Sequence, residues 1–210
     1  MAVDRRPTSD EAPKGTAGRS NQRARTRRAI VEAARSLIES GSAVTMPLVA
    51  ERALVSEATA YRYFPHAPTL IREALVGLWP TAEETMAGAA DITDAAERVA
   101  YAADKLLRRI IRYQGSARAM IAATINNPKR VASERPGYRF ALIDLALDPV
   151  AATLDGSQTD LAELKRRLAV VMSPESVFTL IDFYGLSANR AVATVVDIAR
   201  SLTRLAMRPR

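Results

Sequence analysis

Cysteine is absent from the 210 residues, and histidine occurs once, at His66. The first absence excludes disulfides, a thiolate nucleophile and any cysteine-based metal site, and it fits a reducing compartment. The second leaves no His–Cys or His–His pair for nucleophilic or metal chemistry. No G-x-S-x-G, glycine-rich phosphate loop or H-E-x-x-H occurs. The acids are scattered, and "DITDAAE" at 91–97 reads as a helix start capped by Thr93 or Asp94 rather than as a carboxylate pair. Neither catalysis, a metal nor a cofactor is expected. Apolar runs are short of the roughly 18–20 residues that span a bilayer. The first 24 residues are polar and include Pro7 and Pro13, unlike a secretory signal. A cytoplasmic protein with no membrane partner is the expectation.

Glycine (nine) and aromatics (four Phe, six Tyr, one Trp) are also scarce, whereas alanine and leucine dominate a chain that is 48% hydrophobic. That balance favours an all-α protein with a sizeable core. Charge is unevenly placed. Arg5, Arg6, Lys14, Arg19, Arg23, Arg25, Arg27 and Arg28 oppose only Asp4, Asp10 and Glu11. Five of the seven net positive charges therefore lie within the first 28 residues, which points to a polyanionic partner at that end.

Residues 1–22 are polar and rich in Pro, Gly and Ser, and read as a disordered basic arm. A helical pattern starts at Arg25, with Ile30, Ala34, Leu37 and Ile38 on one face and Gly41 as its stop. Thr45 is placed to cap a short helix that has Pro47 in its first turn and buries Val49, Ala50 and Ala53. Ser56 caps a second helix, closed by Pro65. Two short helices joined by a turn of about three residues form a helix-turn-helix. Helices follow at 69–78, along the stripe Val99, Ala103, Leu106, Ile110 and Tyr113, and at 116–125, 138–154 (bent or ended early by Pro149), 161–171, 173–184 and 188–207.

The stretch "VSEATAYRYFPHAPTL" (55–70) concentrates aromatics beside the lone histidine. A recognition helix enters the major groove by its N-terminal end while backbone contacts hold its register. Val55, Ala60 and Phe64 fall on the supporting side, leaving Glu57, Ala58, Thr59 and Arg62 outward. Glu57 either accepts from a cytosine amino group or simply favours the helix dipole. Thr59 offers a methyl to thymine or a hydroxyl to phosphate. Arg62 reads guanine or grips a phosphate. The Tyr61 and Tyr63 hydroxyls suit phosphate oxygens, with packing as the alternative for either ring. Arg25 and Arg27 lie where a basic arm meets the first helix, within reach of phosphates or a minor groove.

The segment "TMPLVAERALVSEATAYRYFPHAPTLIREAL" (45–75) resembles the DNA-binding region of the TetR family of bacterial transcriptional regulators. Thr45, Val49-Ala50, Ala53, Val55-Ser56, Tyr61, Tyr63-Phe64 and Leu70 occupy the places of the family's recurring pattern, and "RTRRAIVEAARSLIESG" resembles its first helix. The family's turn glycine is Leu54 here. A left-handed backbone would cost a non-glycine residue about 1–2 kcal/mol, so an adjusted turn is expected. The family's lysine after the Tyr-Phe pair is Ala67, which removes a phosphate contact that His66, either a surface or a capping residue, replaces only in part.

The resemblance implies a helix-turn-helix domain at 23–67 and a helical regulatory and dimerisation domain at 68–210. It implies a homodimeric repressor that binds a palindromic double-stranded DNA operator and is released by a small-molecule effector. Ser56, with the residues named above, completes the expected DNA-binding set. Trp79, Met86, Tyr113, Met120 and Phe140 are the large side chains from which an effector pocket is expected. Phe178, Ile181, Val192, Val195, Ala199 and Leu202, in the last two helices, are the expected dimer contacts, with intramolecular core as the alternative. A sequence-tolerant architectural protein using the same motif is the second functional reading. A helical enzyme or carrier with a coincidental motif is the third.

Overall fold

The structure is a computed structural model and describes residues 14–126, 137–151 and 158–208. The described residues form eleven α-helices and no strand. None of these helices is long and apolar enough to cross a membrane. No group of three or more His, Asp or Glu among the described residues could hold a metal ion.

Helix α1 spans Lys14–Glu39. It starts well before Arg25 and inside the segment expected to be disordered, which corrects that expectation for residues 14–22. Adding a residue to a formed helix costs far less than nucleating one, so a polar segment with no core of its own can still prolong it. The arm before Lys14 lies outside the described residues. Ile30, Ala33, Ala34, Leu37 and Ile38 make the buried stripe of α1. Gly41, at φ 71°, ends it. Gly41 N–H donates to Ile38 O and Ser42 N–H to Leu37 O, the paired bonds of a Schellman cap.

Helices α2 (Met46–Arg52) and α3 (Glu57–Tyr63) follow, each with a side-chain cap. Thr45 accepts from Leu48 N–H at 3.5 Å and Ser56 from Thr59 N–H at 3.2 Å. Helix α4 (Ala67–Leu75) starts two residues before the expected Thr69, because Pro68 is tolerated in a first turn whose N–H groups need no helical partner. Leu70, Ile71 and Ala74 of α4 are completely buried with Ile30, Val49, Ala60 and Phe64. The expected division at residue 67 therefore cuts through one packed unit, since the apolar face of α4 belongs to the core of the first three helices.

The remaining helices are α5 (Ala82–Ala87), α6 (Ala95–Arg112), α7 (Gln114–Asn126), α8 (Tyr138–Ala151), α9 (Gln158–Val171), α10 (Pro174–Asp182) and α11 (Ala188–Ala206). Helix α6 is the axis of this part. Val99, Ala103, Leu106 and Ile110 are buried as their spacing predicts, and α8 and α11 pack along the helix. The expected extension of α8 to Leu154 lies outside the described residues.

Pro149 stands inside α8. It has no N–H, so the carbonyl four residues earlier, Leu145 O, loses its helical donor. Arg98, only 9% exposed, supplies one from α6: Nη2 donates to Leu145 O at 3.0 Å and Nε to Ala146 O at 3.1 Å. Its Nη1 donates to Ala89 O at 2.7 Å, beyond the end of α5. One guanidinium thus repairs the proline gap and joins α6, α8 and the segment that follows α5. Replacing Arg98 by Met keeps the aliphatic stem and strands these carbonyls, and should cost about 3 kcal/mol. Urea unfolding checks this, and a loss below about 1 kcal/mol contradicts the assignment.

Candidate nucleic-acid interface and internal cavity

The turn between α2 and α3 sets how α3 is presented. Leu54 has φ 56° and is 93% exposed. The turn is therefore not adjusted, and the expectation of a non-left-handed backbone there is corrected. Leu54 N–H donates to Glu51 O at 3.1 Å and Val55 N–H to Ala50 O at 3.0 Å, the same Schellman pair that ends α1. These two bonds, and the packing of Val55, Ala60 and Phe64 on the N-terminal core, outweigh the strain at one residue.

Ala60 and Phe64 are buried, and Glu57, Ala58 and Arg62 are exposed on the opposite side of α3 as expected, joined by Tyr61; Thr59, also expected outward, is not fully exposed. Thr59 is half-buried, and its Oγ1 lies 3.0 Å from the Ser56 hydroxyl, which donates to it while Ser56 caps the helix. Arg62 lies over the half-buried Tyr63 ring at 5.7 Å. Thr45 is an exposed cap at the head of α2. His66 takes the N-cap position of α4 without a side-chain capping bond, and Ala67 leaves the next position without a charge.

On α1, Arg25 is exposed. Arg27 is committed within the chain, where its guanidinium binds the Glu73 carboxylate and lies 4.9 Å from the Phe64 ring centroid. That contact ties α1, α3 and α4 together, so Arg27 reads as an organiser of the domain. The i, i+3 spacing from helix to helix gives no sign of such a long-range pair.

Below α4 an internal cavity of about 120 Å³ opens. Its walls are Ile71 and Leu75 of α4, Leu106 and Ile110 of α6, Ala117, Met120 and Ile121 of α7, and Tyr138 and Phe140 of α8, with Trp79 and Tyr113 between helices. Four of the five expected pocket residues, Trp79, Tyr113, Met120 and Phe140, meet here. Met86 does not. It is 5% exposed and packs in the C-terminal core, because the short α5 turns it toward that core. Tyr138 and Arg109 went unnoticed in the sequence, yet they complete an aromatic box. Trp79 stacks on Tyr113 (6.2 Å, 24°) and meets Tyr138 edge-on (5.4 Å, 70°). Arg109 lies over both Trp79 and Tyr138, and its Nη1 donates to Tyr138 Oη at 2.6 Å.

Tyr113 also belongs to the core of the N-terminal helices. Two residues on, a Cβ at Gly115 would lie 2.2 Å from Ser42 O, so only glycine lets the α6–α7 joint touch the α1–α2 loop. The cavity wall and the N-terminal helices are in contact at α4 and at this joint. Helix α7 is held to α10 by Arg118, which donates to both carboxylate oxygens of Asp182 at 2.7 and 2.8 Å. Hydrogen bonding from Arg118 keeps the Asp182 carboxyl below the usual carboxylate range, so this tie is present at neutral pH and lost only in strong acid.

The expected dimer residues are mostly misplaced. Phe178 of α10 is buried in the C-terminal core, and Val192, Val195 and Ala199 are buried because the α11 stripe on which they lie is needed to cover α6. Ile181 and Leu202 are half-buried. A different set faces out: Ile198 and Leu205 on α11, with Thr194, Ser201 and Leu202 in the same groove, and Phe183 and Tyr184 after α10, 85% and 73% exposed.

Residues 30–73 match the family model of bacterial regulatory proteins, tetR family. This span covers the buried half of α1, all of α2 and α3, and most of α4. That match identifies residues 30–73 as a DNA-binding domain of the kind found in the tetR family of bacterial regulatory proteins. Among solved structures, a TetR transcriptional regulator from Rhodococcus sp. RHA1 shares the fold at a TM-score of 0.55. The two are 20% identical over 89% of this chain and 97% of that one. No curated protein sequence matches the chain.

Replacing Leu54 by Gly relieves the left-handed strain and gives back some chain entropy to the unfolded state. A net gain of roughly 0.5–1 kcal/mol is expected, while Leu54→Ile should destabilise. Denaturant midpoints of the two variants measure this; a loss of stability in Leu54→Gly contradicts the strained turn.

Proposed function

We propose that the protein is a homodimeric repressor that binds a palindromic operator through α3 and is released when a small molecule fills the internal cavity. The observation that carries this reading is that Ile71 is fully buried in the core of the DNA-binding head and also walls the cavity. A ligand there presses on α4, whose buried face completes the core on which α3 packs. A coupling of about 1–3 kcal/mol between the two sites lowers operator affinity roughly five- to 150-fold.

In this reading Ser56, Glu57, Ala58, Thr59 and Arg62 face base edges or their flanking phosphates. Thr45, Tyr61, Tyr63, Arg25 and, at the margin, His66 hold the phosphate backbone. The N-terminal helices form the reading head, and the helices beyond α4 bind the effector and dimerise. The face of exposed Ile198, Leu205, Phe183 and Tyr184, with half-buried Leu202 kept from the expected set, is the one that meets a second copy, in place of the buried residues first expected. Two-fold pairing sets two α3 helices one or more DNA turns apart, roughly 34–36 Å for a single turn.

Operator affinity should fall about 10³–10⁵-fold between 50 and 200 mM salt if six to ten phosphates are contacted; fluorescence anisotropy reads this, and a flat salt response contradicts it. Arg62→Ala and Thr59→Ala should each cost about 1–3 kcal/mol in specific binding with unchanged thermal unfolding. Unaltered operator affinity in both variants would remove α3 as the reading element.

A further inference from the structure

The cavity beneath α4 combines a small volume with a lining that has no charge to spare. It encloses about 120 Å³, close to the roughly 150 Å³ at which an apolar-walled protein cavity stays dry and admits a benzene ring. Aliphatic side chains of α4, α6 and α7 and the rings of Trp79, Tyr113, Tyr138 and Phe140 make most of its surface. No acid is among its described lining residues. The one charged lining residue, Arg139, is already engaged, with its guanidinium over the Phe140 ring at 5.0 Å. Two hydroxyls of the lining are occupied as well. Ser116 Oγ donates to Tyr113 O at 2.9 Å, and Tyr138 Oη accepts from Arg109 Nη1 and lies 2.6 Å from Thr85 Oγ1. Arg109 itself is outside the lining, behind the Trp79 and Tyr138 rings. Trp79 Nε1–H is buried without a partner. One neutral donor cannot replace the several hydrogen bonds that an ion gives up on leaving water.

We infer that the cavity takes an uncharged, hydrocarbon-like molecule of about one ring, held by apolar contact and shape. A carboxylate would enter a space with no free cation in its lining, and an amine would enter one with no acid. Either ion loses its hydration without replacement, whereas an apolar guest gains contact with the walls and breaks no hydrogen bond. This inference rests on the effector reading above and adds the ligand's chemical class to it.

The test compares toluene, benzoate and benzylamine, which share one ring and differ in charge, on the full chain. Calorimetry gives the affinities, and emission from Trp79, the single tryptophan and a wall of the cavity, reports occupancy. Toluene should bind at least about a hundredfold tighter than either ion, and naphthalene, with a second ring to place, no tighter than toluene. Ala117→Leu, which fills the cavity from α7, should weaken toluene at least about tenfold. Because an overpacked variant can fail to fold, Ile121→Ala on the same helix provides a second reading: its enlarged cavity should prefer naphthalene over toluene. Equal affinity for toluene and either ion, tighter binding of naphthalene by the unaltered chain, affinities unmoved by both substitutions, or no binding of toluene overturns the inference. Each compound is also added to the protein–DNA complex. If toluene binds with the expected preference but DNA affinity does not change, the ligand class stands and release by an effector falls. If benzoate or benzylamine releases DNA while toluene is inert, the class falls and release stands.

Discussion

Ile71 lies at 0% exposure between the N-terminal helices and the internal cavity, so α4 is packed against two things that have different reasons to move. On one side, Leu70, Ile71 and Ala74 complete a core made by α1, α2 and α3. On the other, Ile71 and Leu75 line a chamber whose remaining walls come mainly from α6, α7 and α8, with Trp79, Tyr113, Met172 and Pro174. Close-packed interiors transmit displacement because they have no slack to absorb it. The Arg27–Glu73 ion pair, with the Arg27 guanidinium beside the Phe64 ring, links α1 and α4 next to the end of α3.

The second contact between chamber and head is steric. Gly115 sits against Ser42 so closely that a methyl group would not fit, and its neighbours Tyr113 and Ser116 line the chamber. The α1–α2 loop touched here leads directly into the Thr45 cap of α2. Under the proposed mechanism a ligand therefore acts on the head at two points, one through each end of the α2–α3 support. Lever and fulcrum differ in strength. The α4 contact is a broad apolar surface, whereas the glycine contact is a single backbone approach.

Much of the fold was legible in the sequence because it is written in local rules. Thr45 and Ser56 have the chemistry of helix caps, and Ile30, Ala34, Leu37 and Ile38 repeat at helical spacing; both patterns survive in the structure. Turn and partner choice were harder. Leu54 carries a left-handed backbone that a propensity argument disfavours, because tertiary packing and two hydrogen bonds outweigh one strained residue. The α11 stripe announced an apolar face without naming its partner, and α6 claimed the residues that had been assigned to a second copy. Met86 and Phe140 had equal standing as large apolar side chains, and only the packing sent one to the core and the other to the cavity. Arg98, Arg109 and Tyr138 were invisible, since their partners lie tens of residues away in the chain.

The central claim is that α3, as presented by this head, reads a symmetric DNA sequence. Selection of bound duplexes from a random pool, followed by sequencing, addresses it most directly. The account predicts an enriched palindrome bound about 10³-fold or more tighter than random DNA at physiological salt. Recovery of no preferred sequence, with uniform affinity across the pool, would contradict it and leave a sequence-tolerant DNA-binding protein in its place.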